Sequence, residues 1–282
     1  MIDTVRGTLP PAGRPVEPGG APEATTRDHP LVAVSGLVKR FDHVEALRGA
    51  NFTVWSHEIV GLICDNGAGK STLIKSLAGV LQPDGGEIQF DGQKVRITSP
   101  TYAQHLGIAT VYQDLALAAD LDPAGNVFLG RERVRSGLLG RLGVLDKQAM
   151  RDRTRALFAE LGIGIQNLEA SVATLSGGQQ QSVAVARSVA WPCRVVMLDE
   201  PTAALGVEQT RRVHELIRQV RDHGTSVVLI SHNMPQVMEV TDRIEVLRLG
   251  RRVARFQTSE VTMADLVAAM TGALSTETEE AA

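Results

Sequence analysis

The order of apolar segments predicts an α/β fold, a sheet covered on both faces with a helical subdomain inserted into it. Short β-branched runs alternate with helical patterns along most of the chain. The runs at 195–198, 227–231 and 243–249 contain continuous apolar stretches, as expected of strands buried on both sides. Between about 115 and 190 the strand pattern gives way to helical spacing, which marks the insertion.

Residues 1–29 are rich in Pro and Gly, carry mixed charge and show no apolar periodicity, so a disordered tail is expected there. The polar, acidic stretch 273–282 reads as a second, flexible tail. The folded domain is expected over 30–272. Its first strands fall at 31–38 and 50–54, and a third at 59–63 runs into a Gly-rich turn. Strands follow at 108–112, 195–198, 227–231 and 243–249. In 206–223, Val207, Val213, Leu216, Ile217 and Val220 share one side of a helix. Within the helical subdomain, 146–161 is the clearest amphipathic segment. No internal repeat is visible.

The 282 residues suffice for one large domain, and 43% hydrophobic content supplies a core. A net charge of −3 lacks the basic excess of a nucleic-acid binder, so no nucleic-acid partner is expected. No apolar run approaches the ~18 residues that cross a bilayer, and the N-terminus has no apolar signal core. The cysteines Cys64 and Cys193 form neither a disulfide framework nor a metal-binding spacing, which suits the cytosol.

The chemistry concentrates where a strand meets a helix. Cys64-Asp65-Asn66-Gly67-Ala68-Gly69-Lys70-Ser71-Thr72 follows the strand at 59–63 and opens a helix, the context of a phosphate-binding loop. Its glycines let backbone N–H groups approach phosphate oxygens, and the helix dipole favours the same anion. Lys70 is placed to reach β- and γ-phosphates, and Ser71 to ligate Mg²⁺. The first glycine of G-x-x-x-x-G-K-[ST] is replaced by Cys64. If φ is positive there, the Cβ costs roughly 1 kcal/mol. A thiol in such a loop, near Lys70 and a helix N-terminus, is expected to be reactive and shielded by bound nucleotide, unlike Cys193.

Residues 195–198 lead into Asp199 and Glu200. An apolar strand can deliver Asp199 to a Mg²⁺ shell and leave Glu200 to polarise the attacking water. Leu175-Ser176-Gly177-Gly178-Gln179 precedes a helical segment at 180–190 and reads as another anion cradle. An ordinary helix cap explains Ser176 but not the glycines and Gln179. His232 follows the strand at 227–231 and Gln113 the strand at 108–112. His232 suits a γ-phosphate contact in this arrangement. Phe41 is either an exposed ring that stacks on adenine or a core residue.

This ordered set resembles the nucleotide-binding domain of ABC transporters, over residues 30 to about 272. Phe41 stands at the A-loop, 64–72 at Walker A, Gln113 at the Q-loop and Leu175 to Gln179 at the LSGGQ signature. Val195 to Asp199 match Walker B, 203–206 the D-loop and His232 the H-loop. The resemblance implies a P-loop NTPase (RecA-like) core, an ABC helical subdomain and an N-terminal antiparallel β portion. A narrower resemblance, in TVYQDLALAADLDPAGNVFLGRE, LDEPTAALGVEQTRRVHELI and VLISHNMPQVMEVTDRIEVLRLGRRV, is to sugar importers of the ribose, xylose and fructose type. Gln180 departs from the arginine that usually continues the signature.

The resemblance implies Mg-ATP hydrolysis by a homodimer, or by a pair with a second ATP-binding subunit, on the cytoplasmic face of the membrane. Lys70, Ser71, Gln113, Asp199, Glu200 and His232 would come from one subunit, and Ser176 and Gly178 from the other. It further implies a membrane permease, contacted by 113–130 and the helical subdomain, and a periplasmic sugar-binding protein. The alternatives are a binding-only or weakly active regulatory ABC subunit, and a soluble non-transport ABC ATPase.

Overall fold

Two sheets with one helix pressed between them make the body of the protein in the computed structural model, which describes residues 29–65, 67–203 and 205–274. The tail expected at 1–29 lies outside these residues except for His29, and so does 275–282. Asn66 of the phosphate loop and Ala204 of the D-loop also lie outside them.

The chain opens with β1 (Val32–Phe41), β2 (Val44–Val54) and β3 (Ile59–Cys64), then α1 (Lys70–Leu77), β4 (Gly85–Phe90), β5 (Gln93–Val95), α2 (Pro100–Leu106) and β6 (Ile108–Val111). The helical insertion holds α3 (Pro123–Val127), α4 (Leu138–Arg141), α5 (Lys147–Glu160), a 3₁₀ turn (Val172–Thr174) and α6 (Gly177–Val189). The core resumes with β7 (Val195–Asp199), α7 (Val207–Asp222), β8 (Ser226–Ile230), α8 (Met234–Val240), β9 (Arg243–Arg248), β10 (Arg251–Gln257) and α9 (Met263–Thr271).

An antiparallel sheet has the order β2-β1-β4-β5, and a second sheet the order β10-β9-β3-β8-β7-β6. In the second, β9, β3, β8, β7 and β6 run parallel and β10 is antiparallel. The α/β class and the expected strands are therefore found, with bounds shifted by a few residues. Strands β4, β5 and β10 lie outside the expected set. They are short or carry charged, exposed positions, so no apolar run announces them.

Alternate residues of the parallel strands feed two cores. Val60, Leu62 and Cys64 of β3 join Val34, Phe52, Leu73 and Leu77 between the sheets, around α1. Ile59 and Ile63 face the other way, with Val196, Leu198, Val213 and Ile217 under the helices. The sheets are also tied by a buried ion cluster. Arg243 reaches Glu58 at 2.8 Å and the Thr53 carbonyl at 2.8 Å, and also pairs with the fully buried Glu245. At the C-terminal end, the N–H groups of Ala273 and Leu274 donate to the Ala268 carbonyl and close α9.

Candidate functional site

Parallel register brings the functional side chains to one edge. Val111 pairs with Leu198, Asp199 with Ile230, and Leu62 with Ile230. Gln113, Glu200 and His232 therefore all leave the carboxyl ends of neighbouring strands, where ligands bind in open α/β sheets. The phosphate loop leaves the same edge from β3.

The loop is built by close approaches. Gly67 has φ +78° and Gly69 φ +101°, and a Cβ on Gly69 would stand 2.6 Å from the Ala46 carbonyl oxygen. Gly250 N–H donates to Ala68 O at 2.9 Å, and Arg48 N–H to Gly250 O at 2.9 Å. The β1–β2 hairpin and the β9–β10 turn thus clamp the loop from two sides. Gly69 caps α1, so Lys70 and Ser71 are its first two residues.

Lys70 Nζ lies 3.2 Å from Glu200 Oε1 and 3.8 Å from Asp199 Oδ1. Burial opposes its charge, but the Cys64 sulfur and the Glu200 and Asp199 carboxylates outweigh burial and raise its pKa. Glu200 is buried and sits at φ +52°, a left-handed conformation that costs a non-glycine residue roughly 1–2 kcal/mol. Its carboxylate is fully directed. Oε1 accepts from Lys70, from His232 N–H at 3.2 Å and from His232 Nδ1–H at 2.8 Å. Oε2 accepts from the Ser231 hydroxyl at 3.2 Å. Burial pushes the Glu200 carboxyl up, and these donors more than reverse it, so it stays ionised below the usual range. Burial instead raises Asp199, with Lys70 opposing and Glu200 adding to the rise.

Asp199 Oδ1 is buried and accepts no hydrogen bond. A buried carboxylate oxygen that accepts no hydrogen bond, beside a phosphate loop, fits a bound cation. Among the described residues no three His, Cys, Asp or Glu side chains cluster as a metal cage. That pattern suits Mg²⁺, which takes one or two carboxylates and otherwise substrate phosphates and water.

Two readings of the sequence are corrected. Cys64 is the last residue of β3, buried and paired with Leu247, so the loop starts only at Asp65. It is not among the residues with positive φ, so its Cβ carries no left-handed strain. Burial pushes its thiol up to about 12, the reverse of an activated cysteine. The signature is also more of a helix cap than its sequence suggests. Helix α6 begins at Gly177 rather than 180, and Ser176 and Gln179 form a reciprocal capping box. A Cβ on Gly178 would press Gln209 Cβ of α7 at 3.1 Å, and one on Gly177 would meet Leu205, just before α7, at 3.3 Å, so both glycines sit in close packing.

Phe41 ends β1 with 42% of its surface exposed and Lys39 Nζ 5.5 Å from its ring centroid, so it is not a core residue. Gln113 lines an open groove of about 320 Å³ with Leu115, Leu117, Val172, Ala173 and Gln180. Ser176 and Gln179 bond to each other and not, among the described residues, to Lys70, Asp199 or Glu200. Sequence reasoning missed Arg187, Ser231 and Gln236. Arg187 donates to the Ala116 and Leu115 carbonyls, each at 2.7 Å, and so ties α6 to the segment behind Gln113. Gln236 accepts from Thr202 at 2.6 Å and joins the segment after Glu200 to α8. Their signal was position, eleven residues past Ser176 for Arg187 and four past His232 for Gln236, but an isolated polar residue on a helix is usually a solvated one.

A model of the ABC transporter family matches residues 47–203. The fructose import ATP-binding protein FrcA of Rhizobium meliloti is 51% identical over 246 residues, 86% of this chain and 95% of that protein. The xylose/arabinose import ATP-binding protein XylG of Sulfolobus acidocaldarius is 41% identical, over 86% of this chain and 94% of its own. The ribose import ATP-binding protein RbsA 1 of Rubrobacter xylanophilus is 42% identical over 80% of this chain, which spans 44% of that longer protein. Among solved structures, cbiO1 of Clostridium perfringens, part of the ABC transporter complex cbiONQ, superposes with a TM-score of 0.70 at 26% identity, over 84% of this chain and 92% of that one. A bacterial ABC transporter cassette solved as a dimer superposes with a TM-score of 0.66 at 22% identity, over 80% and 98%. On this agreement of sequence, fold and site, the chain belongs to the ABC transporter family.

Proposed function

We propose that this chain is the ATP-binding and ATP-hydrolysing subunit that energises an ABC importer for a monosaccharide. The observation that carries the reading is the Lys70–Glu200–His232 network on the sheet edge beside the phosphate loop. The names of the relatives support the sugar class.

The backbone N–H groups at Gly67 to Gly69 and the Lys70 ammonium hold the β- and γ-phosphates, and Phe41 stacks on adenine. Asp65, Ala68 and Thr72 complete the loop. Ser71, Asp199 and Gln113 would hold Mg²⁺, which when bound neutralises phosphate charge. Glu200 is the general base. Lys70, Ser231 and His232 fix its carboxylate, and Oε2 keeps a lone pair for the attacking water's proton. Water oxygen bonds to the γ-phosphorus as the bond to the β–γ bridging oxygen breaks. The outer ring nitrogen of His232 faces the γ-phosphate, because Nδ1 is engaged by Glu200.

The cradle of Ser176 to Gln179 serves the nucleotide of a second copy, in a head-to-tail pair. The exposed N-terminus of α6, unlinked to the chain's own Lys70, supports this. The groove between Gln113 and Ala173 receives a membrane permease on the cytoplasmic face, and a periplasmic sugar-binding protein delivers the substrate. Among the described residues no helix is long and apolar enough to cross a membrane.

Glu200→Gln tests the reading. The variant should bind Mg-ATP, hydrolyse little and shift from monomer to dimer on adding ATP, read by size-exclusion chromatography with light scattering. Wild-type hydrolysis by Glu200→Gln would remove the base assignment.

A further inference from the structure

Among the described residues, Asp42, His57, Asp91, Ala116, Glu200 and Leu249 are the non-glycine residues at positive φ. Asp42, His57, Ala116 and Leu249 are exposed and Asp91 is half-buried, all in turns or loops. Glu200 alone of these is buried, at 8% exposure, and it is the residue that the proposed reaction uses as base. A strained backbone persists only where its surroundings over-determine it, so Glu200 has to be held on both sides of its Cα.

The holds come from one short segment, 230–236. Glu200 N–H donates to Ile230 O at 2.8 Å. The Ser231 hydroxyl and His232 N–H donate to its carboxylate, and Asn233 N–H donates to Ser231 Oγ at 3.1 Å. On the other side, Ala203 N–H closes a turn on the Glu200 carbonyl at 3.1 Å. Inside that turn the hydroxyl of Thr202, a residue only 7% exposed, donates to Gln236 Oε1 at 2.6 Å. Gln236 lies in the first turn of α8, where its N–H donates to Asn233 Oδ1 at 3.3 Å. The segment thus grips the Glu200 side chain through Ser231 and His232, and the turn after it through Gln236.

The two grips differ during turnover. In the reaction proposed above, Lys70 and His232 serve the phosphates as well as the Glu200 carboxylate, so nucleotide draws on the first grip. The Thr202–Gln236 bond uses no phosphate-binding residue, and nucleotide leaves it in place. A released turn has one broad region to fall into. Pro201 follows Glu200, and a residue before proline is kept from the right-handed helical region and favours the extended one. The change in φ from +52° to about −120° swings the side chain away from Ser231 and His232.

We propose that Gln236 is a positioning residue for the general base: by accepting the Thr202 hydroxyl it pins the turn after β7 and keeps Glu200 left-handed, with its carboxylate aimed at the attacking water. The proposal rests on the assignment of Glu200 as the base and adds the contact that fixes its backbone.

The test uses the full chain and Gln236→Met, which keeps the side-chain length but offers Thr202 no oxygen. Its kcat for Mg-ATP should fall about tenfold, the scale of one hydrogen bond whose loss leaves a buried hydroxyl unpaired, while KM for ATP holds. Because ATP binds but is cleaved slowly, the variant should also gather as an ATP-driven dimer by light scattering, which a folding defect does not produce. Thr202→Val should match it, and the two together should cost no more than either alone. Thr202→Ser, which keeps the hydroxyl, should retain most of the wild-type rate. Added to Glu200→Gln, Gln236→Met should lower the residual hydrolysis no further. The proposal is overturned by a wild-type kcat in Gln236→Met, by a KM that climbs as the melting temperature drops, or by a further loss on top of Glu200→Gln. Equal losses in Thr202→Ser and Thr202→Val, or no ATP-driven dimer where Glu200→Gln forms one, also overturn it. Should Gln236→Met fail to fold, Thr202→Ser against Thr202→Val decides. An inactive Glu200→Gln with a fully active Gln236→Met removes only the positioning role, whereas a fully active Glu200→Gln removes the base assignment and this role with it.

Discussion

The sheet edge and the signature loop are both anion-binding by composition, yet they differ in how far one chain completes them. At the edge, Lys70, Asp199, Glu200, Ser231 and His232 form one contact network, and burial with neighbouring charge shifts the pKa values of Lys70, Asp199 and Glu200. At the signature, Ser176 and Gln179 satisfy each other on an exposed helix end, and Gly178 packs closely against Gln209 of α7. A coupled, buried network is a finished half-site. Under the proposed function, the self-capped, exposed helix N-terminus is the half that a second copy would use.

Lys70→Ala gives the largest break. It removes the ammonium from the phosphates and leaves Glu200 and Asp199 without their shared cation, so hydrolysis should fall at least a hundredfold. Retained turnover in a coupled assay would dissolve the sheet-edge half of the contrast.

Arg187→Met probes the link between the halves. The variant keeps the aliphatic stem but frees the Leu115 and Ala116 carbonyls behind Gln113. Burial already holds this guanidinium below its ordinary pKa, so it is anchored by those carbonyls rather than by solvent. About a tenfold fall in kcat is expected with an unchanged KM for ATP. If Arg187 acts through Gln113, adding Gln113→Ala should cost no more than Gln113→Ala alone. Additive losses, or a KM that rises in step with a falling melting temperature, would leave Arg187 as packing only.

Phe41→Ala acts on affinity rather than turnover. A ring that stacks on adenine is worth about 1–3 kcal/mol in comparable base-stacking sites. ATP affinity should fall accordingly, while the melting temperature without nucleotide barely moves, because the ring is already exposed. A large loss of melting temperature would place Phe41 among the structural residues.

The smallest effect concerns the thiols. Burial pushes both Cys64 and Cys193 up to about 12 from an ordinary value near 9. The folded state therefore keeps these protons after the unfolded chain has lost them. Their contribution to stability is fully present below about pH 9 and declines between there and about 12. Native alkylation of Cys64 at neutral pH should be slow with or without Mg-ATP, read by mass spectrometry. Fast, nucleotide-protected labelling would return Cys64 to the loop.

The strands that carry the site were legible because burial on both faces leaves unbroken apolar runs, as in Val195 to Leu198. The phosphate loop was legible because its glycines and Lys70 have fixed spacing. What could not be read depended on contacts distant in sequence. Arg243 and Glu245 look like surface charges, yet both are buried, Arg243 against Glu58, 185 positions away, and Glu245 beside Thr53, 192 positions away. The left-handed backbone at Glu200 has no mark in a non-glycine residue. Cys64 was misplaced by one residue of strand length, enough to exchange a solvated loop for the core. The capping box was written openly as Ser176 and Gln179, but the motif's functional reading overshadowed its helical one.

The most direct test of a site divided between two copies mixes two inactive variants. Lys70→Ala lacks the sheet-edge half and Ser176→Arg blocks the signature half. Each should be inactive alone under conditions where the wild type hydrolyses Mg-ATP. In an equal mixture, half of the dimers pair one of each variant, and each such dimer holds one site with an intact Lys70 facing an intact Ser176. Hydrolysis should return to about a quarter of the wild-type rate per chain. A mixture that stays as inactive as its components at every ratio, with mixed dimers present by light scattering or cross-linking, would contradict the shared site.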